Sequence, residues 1–435
     1  MKESNQLRAE KVHEAGKLTL HYALIQGAFW MGYMAIRAYT TQYLADRGLS
    51  YTIIGVLYAI ASIGSVLLQT GLSGIIDRSK KIRLQPVTLT LIGIVLALGG
   101  SLLFFQYMGV NQPILVAILY AIMLIILYAL QSFITSLCYV FINHGIPVNF
   151  GLARGVGSIC AALINVIMGN LVVIFGSGCI FYTLLGFFVI LVILVVTFRI
   201  RGYHVHSHKP IEFHLRTGDT SHSQTTHKKH QGGTLSFMRK HKNFVLFLIG
   251  CFFSMTAYQC VNSYMINIAT DVGGSAKTVG YTLAIAASME LPAMVSFNWL
   301  QKKLTATRLL RVAGIGFILK VLLMTLAKSE GMMYIAAMMQ SVSFGIFLPA
   351  STYFANDCVD AEDRVKAQAL ISAATVGMAM TIGSLIGGAI IDHFGIKALL
   401  WLCVGFAAIG CVITFYVTHI YDRRKKIKSK ARFTA

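Results

Sequence analysis

Nearly the whole chain consists of apolar runs of about 20 residues, separated by short polar breaks. A helix of that length crosses the hydrocarbon core of a membrane, which is about 30 Å thick. When many spans follow one another through short loops, only helices satisfy their own backbone hydrogen bonds. The sequence therefore predicts an all-α membrane protein with twelve transmembrane helices. The predicted spans are 18–43, 51–76, 85–107, 113–142, 153–175, 178–198, 244–269, 279–300, 308–327, 332–355, 367–391 and 396–420.

The low content of charged residues excludes a soluble protein of this size. Only 12% of the 435 residues are charged, whereas soluble domains contain roughly 25%. No cleavable signal peptide is predicted, because the first span follows a mixed-charge stretch and has no small-residue cleavage site. The eight cysteines are scattered singly, which indicates neither disulfides nor a zinc site.

The basic residues indicate the topology. A net charge of +21 would suggest a nucleic-acid partner in a soluble protein. Here most Lys and Arg fall in segments that share one side of the membrane when the N-terminus is placed inside. This positive-inside pattern predicts a multi-pass protein of the cell membrane with both termini cytoplasmic, and no nucleic-acid partner. The basic tail at 423–432 is also expected to contact anionic lipid.

One long polar break divides the chain into two sets of six spans. The predicted units are an N-terminal half (1–198), a basic, His-rich cytoplasmic linker (199–243), a C-terminal half (244–421) and a basic cytoplasmic tail (422–435). The histidines of the linker could chelate a transition metal. They show no ordered spacing, so the interpretation is a solvated linker without a metal site.

The two halves share a glycine pattern. Gly169 and Gly176 end the fifth span, and Gly388 and Gly395 end the eleventh with the same separation. Two six-helix halves joined by a long loop resemble the major facilitator transporters. That resemblance implies two pseudo-symmetric halves, a substrate site near the midplane, and rocking between two open states. The small-residue faces at 155–162 and 383–388 are expected to bring helices of opposite halves together.

The loop after the second span resembles the signature that follows helix two in that superfamily. Its sequence is LSGIIDRSKKIR (72–83). Asp77, Arg78 and Lys81 stand where the family has an acid and bases, although the glycine falls one position late, at Gly74. The resemblance implies a conformational latch. The alternative is a set of solvated topology charges.

Three patches resemble the lactose permease branch of oligosaccharide–proton symporters and the related phenylpropionate-type permeases. They lie at 53–77, 149–158 and 288–297. By this resemblance, Arg154 matches the sugar-binding arginine, Glu290 matches an essential carboxylate, and Lys320 falls on the helix-nine arginine. The branch's proton-site His and Glu fall near Gln340 and Ser343, which do not ionise.

Two further departures concern the solute. The acid that partners the family's arginine falls near Ser136, so one sugar-binding acid is missing. The fifth span, at 153–170, lacks the glycine–proline motif of drug-efflux antiporters. Phenylpropionate-type relatives keep mainly the helix-eight acid, and that pattern fits this chain better.

Glu290 and Lys320 are the predicted proton-coupling residues. Charged groups at bilayer depth cost several kcal/mol, roughly 2.5–3.5 even on insertion scales, so they usually mark a functional pathway. A carboxyl that faces an alternately opened cavity can change protonation between states and couple transport to the proton gradient. Pro292 could kink the helix beside it. The alternative is a Glu290–Lys320 pair that only locks two helices together.

Candidate substrate contacts lie on the first, fifth and seventh spans. Arg37 and Arg154 present rigid forks of donors that suit hydroxyls or a carboxylate. Polar and aromatic groups on the seventh span suit a polyhydroxylated solute, and these are Tyr258, Gln259 and Asn262. The alternatives are snorkelling for Arg37, a topology charge for Arg154, and helix packing for the seventh span.

The sequence thus predicts a secondary transporter, and not an enzyme, that moves a small polar solute by proton-coupled symport. A sugar or oligosaccharide is the favoured solute. Uptake of an aromatic or organic acid, antiport efflux of an amphipathic compound, and a non-transporting sensor remain open. No GxxxxGK[ST] loop occurs, so the proton gradient is the expected energy source and no cofactor is expected. A monomer is expected.

Overall fold

The computed structural model describes residues 2–79, 83–109, 112–143, 148–198 and 234–433. Within those ranges the protein is built from α-helices joined by short turns, and no strand occurs. The α-helices are α1 (Lys2–Asp46), α2 (Tyr51–Arg78), α3 (Leu84–Tyr107), α4 (Pro113–Asn143), α5 (Phe150–Phe175), α6 (Cys179–Thr197), α7 (Thr234–Lys240), α8 (Lys242–Ser263), α9 (Met265–Asp271), α10 (Ala276–Lys303), α11 (Ala306–Thr325), α12 (Glu330–Met338), α13 (Ile346–Cys358), α14 (Arg364–Ser372) and α15 (Ala379–Phe433). The predicted all-α architecture is confirmed.

The helices correspond to the predicted spans. By length and apolar composition alone, nine stretches of the described chain could cross a membrane. The last of these, Lys366–Ile427, contains a break at Gly395, where φ is 80°, and it therefore holds two of the predicted spans. The remaining two spans lie in α1 and α11. Helix α11 carries Arg308, Arg311 and Lys320, which lower its hydropathy.

Two spans of the C-terminal half contain π-helical turns. Ser341–Gly345 joins α12 to α13, and Ala373–Met378 joins α14 to α15. Such turns occur often at functional sites, because they redirect side chains without ending a helix. At the first of them, Gly345 packs so tightly on α10 that a Cβ there would lie 2.8 Å from Ala293 and 3.5 Å from the carbonyl of Glu290. The irregular turn therefore lies directly beside Glu290.

Glycines let helices of opposite halves touch. A Cβ on Gly280 of α10 would meet the Asn165 carbonyl of α5 and would lie 3.0 Å from Gly169. A Cβ on Gly388 of α15 would meet the Tyr51 carbonyl of α2. The expectation for the 383–388 face is thus confirmed. The expectation that the 155–162 face contacts the opposite half is wrong at Gly157, because Gly157 packs on Trp30 of its own half.

Several hydrogen bonds between the halves lie at the end of the bundle that holds Ser50 and Asp392. Asp392 accepts hydrogen bonds from the Tyr51 and Thr52 amides at 3.1 and 2.7 Å, and from Thr52 Oγ1 at 2.6 Å. These amides belong to the first turn of α2, where an anion is stabilised by free N–H groups and the helix dipole. Tyr39 Oη also donates to the Ala276 carbonyl, at 3.4 Å. The two halves are therefore joined at this end.

The linker and the tail are only partly described. Residues 199–233, with most of the predicted histidine tract, lie outside the described residues. Residues 234–243 form α7 and the start of α8, and Phe237 packs edge-on against Phe244 with ring centroids 5.8 Å apart. The tail continues as helix α15, in which Asp422 Oδ2 accepts a 2.6 Å hydrogen bond from Arg311.

Candidate transport site

Glu290 lies in the middle of α10, two residues before Pro292. Its Oε2 accepts a hydrogen bond from Gln340 Nε2 at 3.3 Å. Lys320 and Arg154 both lie close enough to interact electrostatically with the carboxyl group. Among the described residues, however, no ion pair within 4.0 Å involves Glu290. The predicted pair of Glu290 and Lys320 is therefore near but not in direct contact.

Gln340 links these groups. Its Oε1 accepts a hydrogen bond from Lys320 Nζ at 2.5 Å, and its Nε2 donates to Tyr258 Oη at 3.1 Å as well as to Glu290. Lys320 is only 3% exposed, and its ammonium lies 4.8 Å from the centre of the Tyr258 ring. An amide has an acceptor and two donors, so a single Gln can serve a cation and an anion together. Gln340 therefore connects α8, α10 and α11.

Sequence reasoning left Gln340 out of the site, because its side chain does not ionise. The resemblance to the permease branch had nevertheless placed it where that branch has its proton-site histidine. An uncharged amide in an apolar run was the signal that could have identified it, since buried polar groups need partners. The π-turn that starts after Gln340 was not predictable from composition or periodicity.

Arg37 points into the bundle. Its Nη2 donates to Gln259 Oε1 at 3.4 Å. Four phenol groups lie within electrostatic range of the guanidinium, those of Tyr33, Tyr58, Tyr128 and Tyr258. Tyr258 lies near Arg37 and also contacts Lys320 and Gln340, so it connects the residues around Arg37 with those around Glu290. The predicted contacts on α1 and α8 therefore belong to one connected group with Glu290 and Lys320.

Arg154 approaches the same region from α5. Its guanidinium lies 4.2 Å from the centre of the Trp30 ring, and its Nη1 donates to Ser158 Oγ at 2.9 Å. Trp30 in turn donates to Gln26 Oε1 at 2.9 Å. A cation on an aromatic face is stabilised by the ring quadrupole. This contact holds Arg154 where it interacts electrostatically with Glu290.

An aromatic wall forms one side of the group. The rings of Tyr258 and Phe344 stack with centroids 5.0 Å apart and planes 6° from parallel. Asn262 lies one helical turn beyond Tyr258. Its side chain lies within hydrogen-bonding reach of the Tyr258 phenol. The site thus combines aromatic faces, two arginines, a lysine and a carboxyl, drawn from five long helices.

The three predicted gating residues are separate from this group. Arg78 is exposed at the last turn of α2. Lys81 and the side chain of Asp77 lie outside the described residues. Their role as a latch remains a prediction.

A cluster of possible metal ligands lies at another place, between α7 and the turn before α14. Oxygen and nitrogen atoms of His241, Asp360 and Asp363 lie within 4.8 Å of one another. The ammonium of Lys240 already lies 2.6 Å from Asp360 and 3.2 Å from Asp363. In this structure a lysine therefore supplies the positive charge of the cluster.

The family model described as "MFS_1 like family" matches residues 28–402. That match covers most of the chain. The protein belongs to the MFS_1 like family. It is accordingly a secondary transporter of the major facilitator type, and not an enzyme.

Solved structures agree with the fold of an MFS_1 like protein. A mutant of the nucleoside transporter NupG is 14% identical, with a TM-score of 0.75 over 93% of this chain and 100% of that chain. A bacterial homologue of the iron transporter ferroportin, in an inward-facing state, is 13% identical, with a TM-score of 0.67 over 92% and 98%. A bacterial homologue of the lysosomal transporter Spinster is 13% identical, with a TM-score of 0.63 over 93% and 97%. A search of curated proteins finds no match.

Proposed function

We propose that this protein is a proton-coupled symporter that takes up a small polar solute by alternating access. The observation that carries the proposal is the linkage of Glu290 and Lys320 through Gln340 in the middle of the bundle. An ionisable group at that depth is costly and usually marks a pathway. A carboxyl that shares an amide with a lysine can respond to a proton by changing its hydrogen bonds.

The coupling step follows from the partners of Glu290. An ionised carboxylate accepts the Gln340 amide donor and attracts the Lys320 and Arg154 cations. A protonated carboxyl gives up the attraction to both cations, so α5, α10 and α11 are then held together less firmly. Protonation biases the conformational equilibrium because the two conformations bind the proton unequally. Pro292 and the π-turn at Ser341–Gly345 allow the adjacent helices to bend there.

The conformation of the structure supports alternating access. The halves are joined at the end that holds Asp392 and the first turn of α2. With both termini on the cytoplasmic side of the cell membrane, as the basic residues predict, this is the outer end. We therefore interpret the structure as closed to the outside. The protein is proposed to work as a monomer.

A sugar or oligosaccharide is the first candidate solute. The amides of Gln259 and Asn262 can bond hydroxyls, and the Phe344 ring, which stacks on Tyr258, can cover an apolar sugar face. The resemblance to the permease branch at Arg154 and Glu290 supports the same class. An organic acid is the second candidate, and it is favoured by Arg37, which has no carboxylate partner in the described structure.

The test is a flux screen in proteoliposomes with an imposed pH gradient, acidic outside. Labelled monosaccharides, disaccharides and phenylpropionate-type acids are offered in turn. We expect one class to accumulate above its outside concentration, and a protonophore to abolish the accumulation. Export against an inward proton gradient would instead indicate antiport. Solute flux that does not depend on the pH gradient would contradict proton coupling.

A further inference from the structure

The central site holds more basic than acidic groups. In the described helices, the ionisable Arg, Lys and carboxyl side chains at its level are Arg37, Arg154, Lys320 and Glu290. Three basic groups therefore face one carboxyl group. In a low-dielectric interior, buried charges are stable when they are paired, so an excess of this kind requires compensation.

The excess is concentrated at Arg37. Glu290 interacts with Lys320 and Arg154, whereas Arg37 donates a hydrogen bond to the neutral Gln259. No ion pair within 4.0 Å involves Arg37 in the described part of the chain. The phenols around it are neutral groups, which can donate hydrogen bonds but cannot cancel its charge. Arg37 is thus an intramembrane cation without a counter-ion.

A buried phenol beside it also lacks a partner. Tyr128 Oη lies within electrostatic range of Arg37 and has no hydrogen-bond partner. A phenol can donate a hydrogen bond. Buried polar groups are normally paired, so an unpaired donor beside an uncompensated guanidinium indicates a ligand that carries hydrogen-bond acceptors.

We propose that, of the two candidate classes above, the transported solute belongs to the one that carries a carboxylate, and that this carboxylate binds Arg37 with help from Tyr128. The inference rests on the proposed function in taking the central group as the solute site. Sugar acids and aromatic acids fit it, because the Phe344 ring, which stacks on Tyr258, can cover either kind of ring. A neutral sugar leaves Arg37 uncompensated. Because the solute brings one negative charge and Glu290 one proton, transport of both moves no net charge.

The test uses matched compounds that differ mainly in the acid group. They are glucuronate and glucose, lactobionate and lactose, and 3-phenylpropionate and 3-phenylpropanol. The shift in thermal unfolding temperature of the purified protein measures binding. We expect at least one acid to stabilise the wild type and its neutral partner not to. Arg37→Gln should weaken that binding about 10- to 100-fold, the loss expected for a charged hydrogen bond.

Two further variants separate charge from structure. Arg37→Lys should keep much of the acid binding, because the charge remains. Arg47→Gln is the matched control, since Arg47 lies 5.3 Å from the Tyr43 ring at the end of α1, away from the site, and should bind acids like the wild type. Without any added acid, Arg37→Gln should melt higher than the wild type, because an uncompensated charge is removed.

The binding measurements test whether a carboxylate binds at Arg37, and they do so without any measurement of transport. The proposal is overturned if no acid stabilises the wild type, or if the neutral partners stabilise it equally well. It is also overturned if Arg37→Gln binds the acid unchanged. Flux of the same compounds is then measured in proteoliposomes. Acid binding without flux of any acid would overturn the assignment of the carboxylate to the transported solute. Flux of neutral compounds alone would overturn the carboxylate inference and leave the symport proposal standing.

Discussion

Glu290 and Lys320 are joined through the side chain of Gln340 and not by a direct ion pair. The amide accepts from Lys320 at 2.5 Å and donates to Glu290 at 3.3 Å. A bridged pair can separate by the loss of one weak hydrogen bond, whereas a direct buried ion pair is costly to break. This arrangement suits a carboxyl that gains and loses a proton during each transport cycle.

Gln340→Ala should lower stability more than other Gln→Ala changes. It leaves the buried Lys320 ammonium without its hydrogen bond, at a cost of about 1–3 kcal/mol. Adding Lys320→Met should recover part of the loss, because the unpaired charge is then gone. Thermal unfolding in detergent measures both. Gln368→Ala, which removes bonds to Thr352 and Asn356, is the control. If the Gln340→Ala variant and the Gln340→Ala, Lys320→Met double variant lose equal stability, the proposed link between Lys320 and Gln340 is contradicted.

Gly280→Leu should prevent closure between α5 and α10. Even a Cβ at this position meets the Asn165 carbonyl and lies 3.0 Å from Tyr39 Oη. Overpacking of this kind costs about 1–3 kcal/mol, and here separation of the halves relieves it. We expect uptake to fall at least about fivefold, because a cost of about 1 kcal/mol, the lower end of this range, changes an equilibrium constant about fivefold. Gly405→Leu is the control, because a Cβ there meets nothing within 4 Å. Similar uptake in the two variants would count against this closure.

Asp392→Ala should favour opening at the Asp392 end of the bundle. The carboxylate caps the first turn of α2 across the two halves, an interaction worth about 1–2 kcal/mol. Its loss should shift the ratio of closed to open forms by a factor of about 5–30. Spin labels at the exposed Ile53 and Phe394 report the distance between the halves. Asp271→Ala is the control, because Asp271 pairs with Lys397 of the same half at 2.7 Å. Unchanged distance distributions in Asp392→Ala would refute the capping role.

Asp363→Asn should destabilise the protein near neutral pH. Burial disfavours the ionised form of Asp363, but hydrogen bonds from His241 and Lys240 outweigh it and hold the pKa of the carboxyl below its usual value. A depressed pKa in the folded state adds stability above the unfolded pKa of about 3.9, and this is lost as pH falls through the folded pKa.

The unfolding temperature of Asp363→Asn should therefore lie below that of the wild type from pH 5 to 8, and the gap should narrow as pH falls below about 4. Asp360→Asn is the control. Its side chain is 66% exposed, so its ion pair with Lys240 should contribute little. A gap for Asp363→Asn that does not narrow as pH falls below about 4 would contradict this assignment.

The spans were predictable because membrane helices leave a strong signal in hydropathy. Gly395 was identified from its spacing alone, and the structure places a turn there with positive φ. The breaks inside spans were not predictable. The π-turn at Ser341–Gly345 lies where Gly345 packs on α10, and that contact joins residues far apart in sequence.

The site was predictable only where a residue was unusual for a membrane. Charges at Arg37, Arg154, Glu290 and Lys320 stand out in apolar runs. Gln340 does not, and its importance appears only once three helices bring partners to its amide. The role of Asp392 was missed for a similar reason. A carboxylate near the end of a span reads as a solvated loop charge until α2 is packed beside it.

The central claim is that Glu290 carries the coupling proton. Vesicles with the Glu290→Gln variant are given a pH gradient and the labelled solute identified by the flux screen, and accumulation and exchange are measured separately. Glu330→Gln, at the exposed start of α12, is the control and should behave like the wild type. The account predicts that Glu290→Gln exchanges solute but never concentrates it. Accumulation of solute above its outside concentration by the glutamine variant would contradict the account.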